Sequence, residues 1–314
     1  MLHSIAHNFS PLNAVICIRK VLNSIKHHYV PQLYLRGFVA ETGRLQVFDK
    51  KLDCFKKDKQ TPRTVLYEKH RNTILHKGVR TDALEKLYGT IEAPLGQFFD
   101  LVRNGISGEE LISKDGLYLL KIFIAFQFWR MPILDPIADH YIKNLDLTKF
   151  GNKITLNGVN LGESEPIKLA IQTDSGFRKY FRSFMLPFLT FDLRVHESDY
   201  KSWKVHHVSD DNKGWNNFIT GDNPLIFEDL EKMFAFKSKF IMPLTNNRLI
   251  TFSPELNPNM DLKPLFTTYL AMATYKQCDH FVVGTDKAYM EEIRSFLDSK
   301  AMPNDLRSEL FKYI

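Results

Sequence analysis

The sequence predicts an α+β fold in which a helix-rich first two-thirds packs on a small, mainly antiparallel sheet from the last third. Two long segments, 81–104 and 109–130, carry apolar residues at helical spacing. From about residue 200 the pattern changes to short β-type runs separated by Asp, Asn, Gly and Pro. Because helices and strands are segregated along the chain, the pattern indicates α+β rather than alternating α/β.

The two long segments differ in character. Segment 81–104 starts at Thr81, which suits a helix cap, and its interior Pro94 is expected to kink or split the helix. Segment 109–130 is apolar nearly all round, which predicts a central helix. Further helices are predicted at 135–150, 166–188, 264–277, 286–298 and 304–313.

The strands are short and belong to two parts of the chain. Residues 44–49 alternate and are rich in β-formers, and Cys54–Phe55 can return against them as a hairpin. His206 and His207 are neighbours in a predicted strand, so their side chains are expected on opposite faces. In the last third, strands are predicted at 203–208, 217–220, 237–242, 248–252 and 280–284.

Residues 26–314 are predicted to form one α+β domain, preceded by an N-terminal extension, 1–25. The three cysteines form no C-x-x-C pair, which is typical of reduced thiols in a cytoplasmic protein. Because no apolar run reaches about 18 residues, no membrane partner is expected. The oligomeric state stays open.

The net charge of +6 and the pI of about 9.0 favour anionic partners, nucleic acid among them. The sequence has no Walker A loop, G-x-G-x-x-G turn, G-x-S-x-G elbow or H-E-x-x-H helix. It therefore carries no nucleotide-cofactor motif, and kinase, dehydrogenase and α/β-hydrolase functions have no support.

Several motifs together resemble one family. His28-Tyr29-Val30-Pro31, followed by Gln32, Tyr34, Leu35 and Phe38, looks like the HYVP motif of domain of unknown function 4238. The resemblance extends over about residues 26–285, with Gly221 where the pattern usually has Ser. It implies one fold unit and a set of candidate site positions, but no reaction. The other matching segments are Glu85 with Glu92, Phe123–Gln127 with Arg130 and Pro132, Phe218–Pro224, and Pro243–Thr245.

Polar residues in four of these segments form a candidate site. A histidine, several carboxylates and an arginine are the residue types of a Mg²⁺- or Mn²⁺-dependent hydrolytic centre, in which Arg130 and Gln127 hold a phosphate or orient a water. Glu92 and Asp222 are the candidate metal ligands. The candidate catalytic residues are His28, Glu85, Glu92, Gln127 and Asp222, and the candidate substrate-binding residues are Gln32, Arg36, Arg130 and Asn223.

Each candidate also has a structural interpretation. His27 and His28 can bind backbone carbonyl groups beside the Pro31 helix. A buried Arg130 needs an anionic partner, which Glu85 or Glu92 can supply. Asp222 follows a strand in a sequence that also suits an Asx-turn.

The residue types favour a metal-dependent phosphodiesterase, and in particular a nuclease acting as a toxin or antiviral-defence effector. The alternative is a non-catalytic module that binds nucleic acid or protein and has a structural polar core. A further alternative is a metal-independent ribonuclease, because Arg71-Asn72-Thr73-Ile74-Leu75-His76 has the R-N-x-x-x-H spacing of the HEPN class. That motif requires a helix, whereas Thr73 and Ile74 are β-branched and Gly78 follows closely.

Overall fold

The computed structural model describes most of the chain from residue 25 onward. The predicted extension 1–25 lies outside these residues, apart from Leu2 and Ile25. The described residues are 2, 25–58, 60–76, 79–146, 155–156, 159–160, 164–208, 217–229, 232, 234–255, 264–299, 303 and 305–314.

One long buried helix lies at the centre of the helical part. It spans Lys114–Arg130, and Ser113 caps it by accepting a hydrogen bond from the N–H of Gly116 at 3.3 Å. From Leu119 to Arg130 every side chain is buried, including the charged Lys121. Lys121 is neutralised by Asp199, whose Oδ2 lies 2.6 Å from its Nζ. A charge this deep in an apolar helix is tolerated because it is paired.

The described helices follow in chain order. They are α1 (Gln32–Leu35), α2 (Ala83–Arg103), α3 (Gly108–Leu111), α4 (Lys114–Arg130), α5 (Asp135–Lys143), α6 (Glu165–Thr173), α7 (Ser175–Tyr180), α8 (Leu186–Thr190), α9 (Asp199–Ser202), α10 (Pro264–Gln277), α11 (Lys287–Asp298) and α12 (Leu306–Phe311). A π-helical turn, Phe181–Met185, joins α7 to α8.

The described strands are short and all pair antiparallel. They are β1 (Lys26–His28), β2 (Gln46–Asp49), β3 (Cys54–Phe55), β4 (Tyr67–Lys69), β5 (Ile74–His76), β6 (Val79–Thr81), β7 (Thr155–Leu156), β8 (Val159–Asn160), β9 (Trp203–His207), β10 (Thr220–Gly221), β11 (Ile226–Phe227), β12 (Phe240–Pro243), β13 (Arg248–Phe252) and β14 (Phe281–Gly284).

Two four-stranded sheets contain most of these strands. One has the order β11-β12-β13-β9 and comes entirely from the C-terminal third. The other has the order β10-β14-β2-β3, so the N-terminal hairpin joins two C-terminal strands. Three two-stranded pairs complete the set, β1 with β4, β5 with β6, and β7 with β8.

The predicted α+β class is confirmed. The predicted antiparallel sheet is divided into the two four-stranded sheets. Helix α2 continues through Pro94 without splitting. The predicted helix 109–130 is interrupted at Ile112–Ser113, where α3 ends and Ser113 starts α4. His206 is buried and His207 is exposed, as expected for strand neighbours.

No single helix among the described residues is long and apolar enough to cross a membrane. Only a pair passes that test on length and composition, Lys114–Arg130 with Pro132–Lys143, and this pair is bent by 68°.

Candidate functional site

The HYVP segment begins in a strand and ends at a helix. In β1, His27 lies opposite Glu68 of β4, and His28 lies opposite Tyr67. Pro31 then precedes α1 in an extended conformation, where its missing N–H leaves no hydrogen bond unmade. Because successive strand residues point to opposite faces, the two histidines enter different surroundings.

His28 is buried against the ring of Tyr67 and lies 3.4 Å from Gln32, between Nδ1 and Nε2. Burial, with a contribution from the nearby positive charge of Arg130, lowers the pKa of His28 to about 4. The imidazole is therefore neutral at physiological pH.

His27 belongs to a separate network that includes Asn72 and Glu85. The backbone N–H of Asn72 donates to His27 Nδ1 at 2.8 Å, and the side-chain amide of Asn72 donates to Glu85 Oε1 at 2.6 Å. Glu85 Oε1 is also 3.7 Å from His27 Nδ1, but that nitrogen already accepts a hydrogen bond and has no proton to share. Asn72 therefore links the HYVP segment to α2.

Glu92 and the buried Arg130 form an ion pair between α2 and α4. The guanidinium of Arg130 also lies 4.1 Å from the ring centre of Tyr88. Burial alone would lower the pKa of Arg130, but Glu92 more than offsets this and raises it. The structure thus pairs Arg130 with the carboxylate of Glu92 at the end of the central helix.

Gln127 of α4 also binds the HYVP segment. Its Nε2 donates to the carbonyl of Tyr29 at 3.2 Å, and both residues are buried. The Arg36 side chain, by contrast, is exposed and lies near Arg103.

Asp222 has its contacts inside the fold. Its carboxylate accepts three backbone N–H groups of the loop before β14, those of Asp279 (3.0 Å), His280 (2.6 Å) and Phe281 (2.9 Å). Burial raises the pKa of Asp222, and the three donors oppose that rise. The neighbouring Asn223 exchanges two hydrogen bonds with Gln277, at 3.4 and 2.6 Å.

These contacts place the predicted residues in separate partnerships. His28, Glu92 and Arg130 lie within electrostatic reach of one another, whereas Asp222 follows β10 and binds the loop before β14. Within the described part of the chain, no three His, Cys, Asp or Glu side chains are grouped so that they could hold a metal ion. Mg²⁺ or Mn²⁺ at Glu92 and Asp222 stays a prediction.

The R-N-x-x-x-H stretch is not helical. Arg71 and Asn72 lie in a turn, and Ile74–His76 form β5. The HEPN arrangement requires the arginine and the histidine to share one face of a helix. Arg71 and His76 therefore do not meet that requirement.

A pocket of about 330 Å³ lies beside this turn, between β4, α5 and α7, and we call it the arginine pocket. Arg71 donates to both oxygens of Asp135, at 2.6 and 3.1 Å, and to Glu68 at 2.9 Å. Arg182, in the π-helical turn, bonds the same carboxylate of Asp135. The lining residues are Glu68, Arg71, Asp135, Ala138, Asp139, Ile142, Ser175, Arg178, Lys179 and Arg182.

Positive charge exceeds negative charge in the arginine pocket, with four cationic side chains against three carboxylates. The side chains of Arg71 and Arg182 are 5% and 9% exposed, and the Nε of each has no hydrogen-bond partner among the described residues. Burial, together with Arg182 and Arg71, lowers the pKa of Lys179. An anion in the pocket would relieve this mutual repulsion.

A smaller cavity of about 90 Å³, the histidine cavity, shares Glu68 with the arginine pocket. His280 Nε2 lies 3.0 Å from Asp49 Oδ1, and Asp49 is buried. The lining residues are Tyr29, Lys51, Glu68, Pro132, Ile133, Asp222, Asn223, Asp279 and His280.

The charged residues of α7 and of the π-helical turn after it were not predicted from the sequence. Arg178 and Arg182 are four residues apart in a segment rich in Phe, and this spacing on a helix is a signal of charge held against an apolar face. The sequence carries no such signal for the pair of Asp49 and His280, because these residues meet only through the pairing of β2 with β14.

The fold and the two cavities define an α+β protein with antiparallel sheets and an arginine-lined pocket beside its central helix. The chain belongs to the family described as Protein of unknown function (DUF4238), which matches residues 26–288. No curated protein and no solved structure matches the chain.

Proposed function

We propose that this protein binds nucleic acid and holds one phosphate group in the arginine pocket. The observation that carries the proposal is the convergence of two buried guanidinium groups, Arg71 and Arg182, on the single carboxylate of Asp135. A phosphate in the pocket would lie beside these guanidinium groups and the ammonium of Lys179. Guanidinium groups suit phosphate because their planar N–H groups match its oxygens.

The HYVP segment is connected to the wall of the arginine pocket through strand pairing. The β1 strand of the HYVP segment pairs with β4, which carries Glu68, and the following turn carries Arg71. Arg71 also donates to the carbonyl of Arg130 at 3.2 Å, which connects the pocket to the end of α4. The end of α4 thus helps to position Arg71 in the pocket wall.

The experiment is a binding titration of the full chain with fluorescein-labelled, single-stranded oligonucleotides, followed by fluorescence anisotropy. Lys179→Gln and Arg182→Gln each remove one positive charge from the pocket, and Lys287→Gln removes one from the exposed surface of α11. We expect each pocket variant to bind about tenfold more weakly, a loss of about 1.4 kcal/mol. We also expect the slope of log Kd against log salt to fall by about one.

Equal affinity of the pocket variants and Lys287→Gln would contradict the proposal. Incubating the same oligonucleotides with Mg²⁺ or Mn²⁺ tests the metal-dependent phosphodiesterase predicted from the residue types, because cleavage fragments separate it from binding alone.

A further inference from the structure

We infer that His280, oriented by Asp49, accepts a proton from the 2′-hydroxyl of a bound RNA and so cleaves the strand without a metal ion. This inference rests on the proposed binding of nucleic acid in the arginine pocket. It assigns a reaction to His280 and Asp49, which lie outside the motif residues that the sequence indicated.

The carboxylate of Asp49 is held rigidly. Its Oδ1 accepts the backbone N–H groups of Lys51 and Leu52, each at 3.1 Å, in the turn after β2. The same oxygen faces His280 Nε2 at 3.0 Å. An acceptor oxygen at this distance favours the tautomer in which His280 Nε2 carries the proton.

The other ring nitrogen of His280 is then a proton acceptor. No described residue forms a hydrogen bond with Nδ1, and the His280 side chain is 32% exposed in the wall of the histidine cavity. The ring is also stacked on Phe281, at 3.7 Å between centres. An imidazole fixed through one nitrogen and open at the other has the arrangement of a general base.

Hydrogen bonds fix both backbone groups of His280, its N–H and its carbonyl. Asp222 accepts the N–H of His280, and the carbonyl of His280 accepts the N–H of Lys50 at 2.8 Å. Asp222 is thus a positioning residue for His280.

The carboxylates around the histidine cavity do not oppose a phosphate strongly, since each has a partner. Asp222 accepts three backbone N–H groups, Glu68 pairs with Arg71, and Asp279 lies 3.5 Å from Lys51 Nζ. Glu68 lines both cavities, so they adjoin, and a strand with one phosphate in the arginine pocket can extend toward His280.

The step is a transesterification within the RNA. The 2′-hydroxyl proton moves to Nδ1 of His280, the 2′-oxygen bonds to phosphorus, and the bond from phosphorus to the 5′-oxygen breaks. The departing 5′-oxygen takes a proton from water, and His280 later returns its proton to solvent. The products are a 2′,3′-cyclic phosphate and a 5′-hydroxyl end.

The test incubates the full chain with labelled single-stranded RNA in EDTA and measures binding and cleavage separately. We expect the wild type to produce these two ends. His280→Ala should cleave about 100-fold more slowly with unchanged affinity, and added imidazole should restore part of the rate. Asp49→Asn keeps an oxygen for the turn, and we expect it to lower kcat without changing KM.

The matched control uses the same RNA with 2′-deoxynucleotides, which should bind equally and stay intact. Bound RNA that stays intact with the wild type would overturn the inference, and so would cleavage that needs Mg²⁺ or a His280→Ala variant that cleaves at the wild-type rate. Absence of binding would instead refute the proposed function.

Discussion

At the level of single residues, the carboxylate of Asp222 accepts hydrogen bonds from three successive backbone N–H groups. The strand-end motif that made Asp222 a candidate ligand is also a motif that suits turns. The structure gives the carboxylate a definite mechanical role, which is to hold the loop before β14.

Asp222→Asn should therefore destabilise the fold, because an amide presents only one acceptor oxygen to three donors. We expect a loss of about 2 kcal/mol in the free energy of unfolding, measured in urea. Asp279→Asn is the matched control in the same loop, since its side chain is 64% exposed, and it should cost little. An Asp222→Asn variant as stable as Asp279→Asn, but deficient in a Mg²⁺- or Mn²⁺-dependent activity, would favour the metal-ligand role instead.

At the level of elements, the start of α4 is set by a close approach of backbone to backbone. A Cβ on Gly116 would lie 2.4 Å from the carbonyl oxygen of Leu111 and 2.7 Å from that of Glu110. Both oxygens belong to the main chain of α3, which can be displaced only at an energetic cost. The glycine therefore allows α3 to end directly against the first turn of α4.

Gly116→Ala and Gly89→Ala should change stability in opposite directions. Gly116→Ala forces α3 away from α4, and we expect a cost of about 2 kcal/mol. Gly89 is exposed in α2 with nothing within 4 Å of a new Cβ, so alanine there should gain up to about 1 kcal/mol through helix propensity. Thermal unfolding of the two variants measures both effects, and a stabilised Gly116→Ala would contradict this account.

The helices were largely predictable from sequence because their apolar spacing is a local property. The break at Ser113 was not, since it depends on the contact between Gly116 and α3. Likewise the hairpin of β2 and β3 was predicted, but its partner was not. The pairing of β2 with β14 depends on residues more than 230 positions apart, and no local pattern records it.

At the level of the whole molecule, two buried histidines make stability depend on pH. Burial is the main cause that lowers the pKa of His28 and of His206 from 6.5 to about 4. The unfolded chain therefore binds protons at these sites more readily than the folded protein does. Stability from these groups is complete above pH 6.5 and falls as the pH drops toward 4.

His206→Gln should remove part of this dependence. Between pH 6.5 and pH 5 we expect the wild type to lose about 2 kcal/mol more than His206→Gln, measured by urea unfolding at each pH. His207→Gln is the control, because the neighbouring ring is exposed, and it should follow the wild type. Identical pH slopes for His206→Gln and the wild type would refute the expected contribution.

The candidate site was predictable only in part. Arg130 was recognised as a buried cation that needs a carboxylate, and Glu92 is that partner. Residue types alone suggested one shared centre, whereas the structure gives Glu85, Glu92 and Asp222 separate partners. The arginine pocket combines β4, α5 and α7, so it becomes visible only when the tertiary packing is known.

The pairing of β2 with β14 also has a consequence for the order in which the protein becomes complete during synthesis. Asp49 ends β2 and lies opposite Phe281, the residue after His280. A nascent chain that has emerged only as far as α10 contains Asp49 but no His280 to place beside it. If the pair cleaves RNA, the nascent chain acquires that activity only after β14 has been made and has paired with β2.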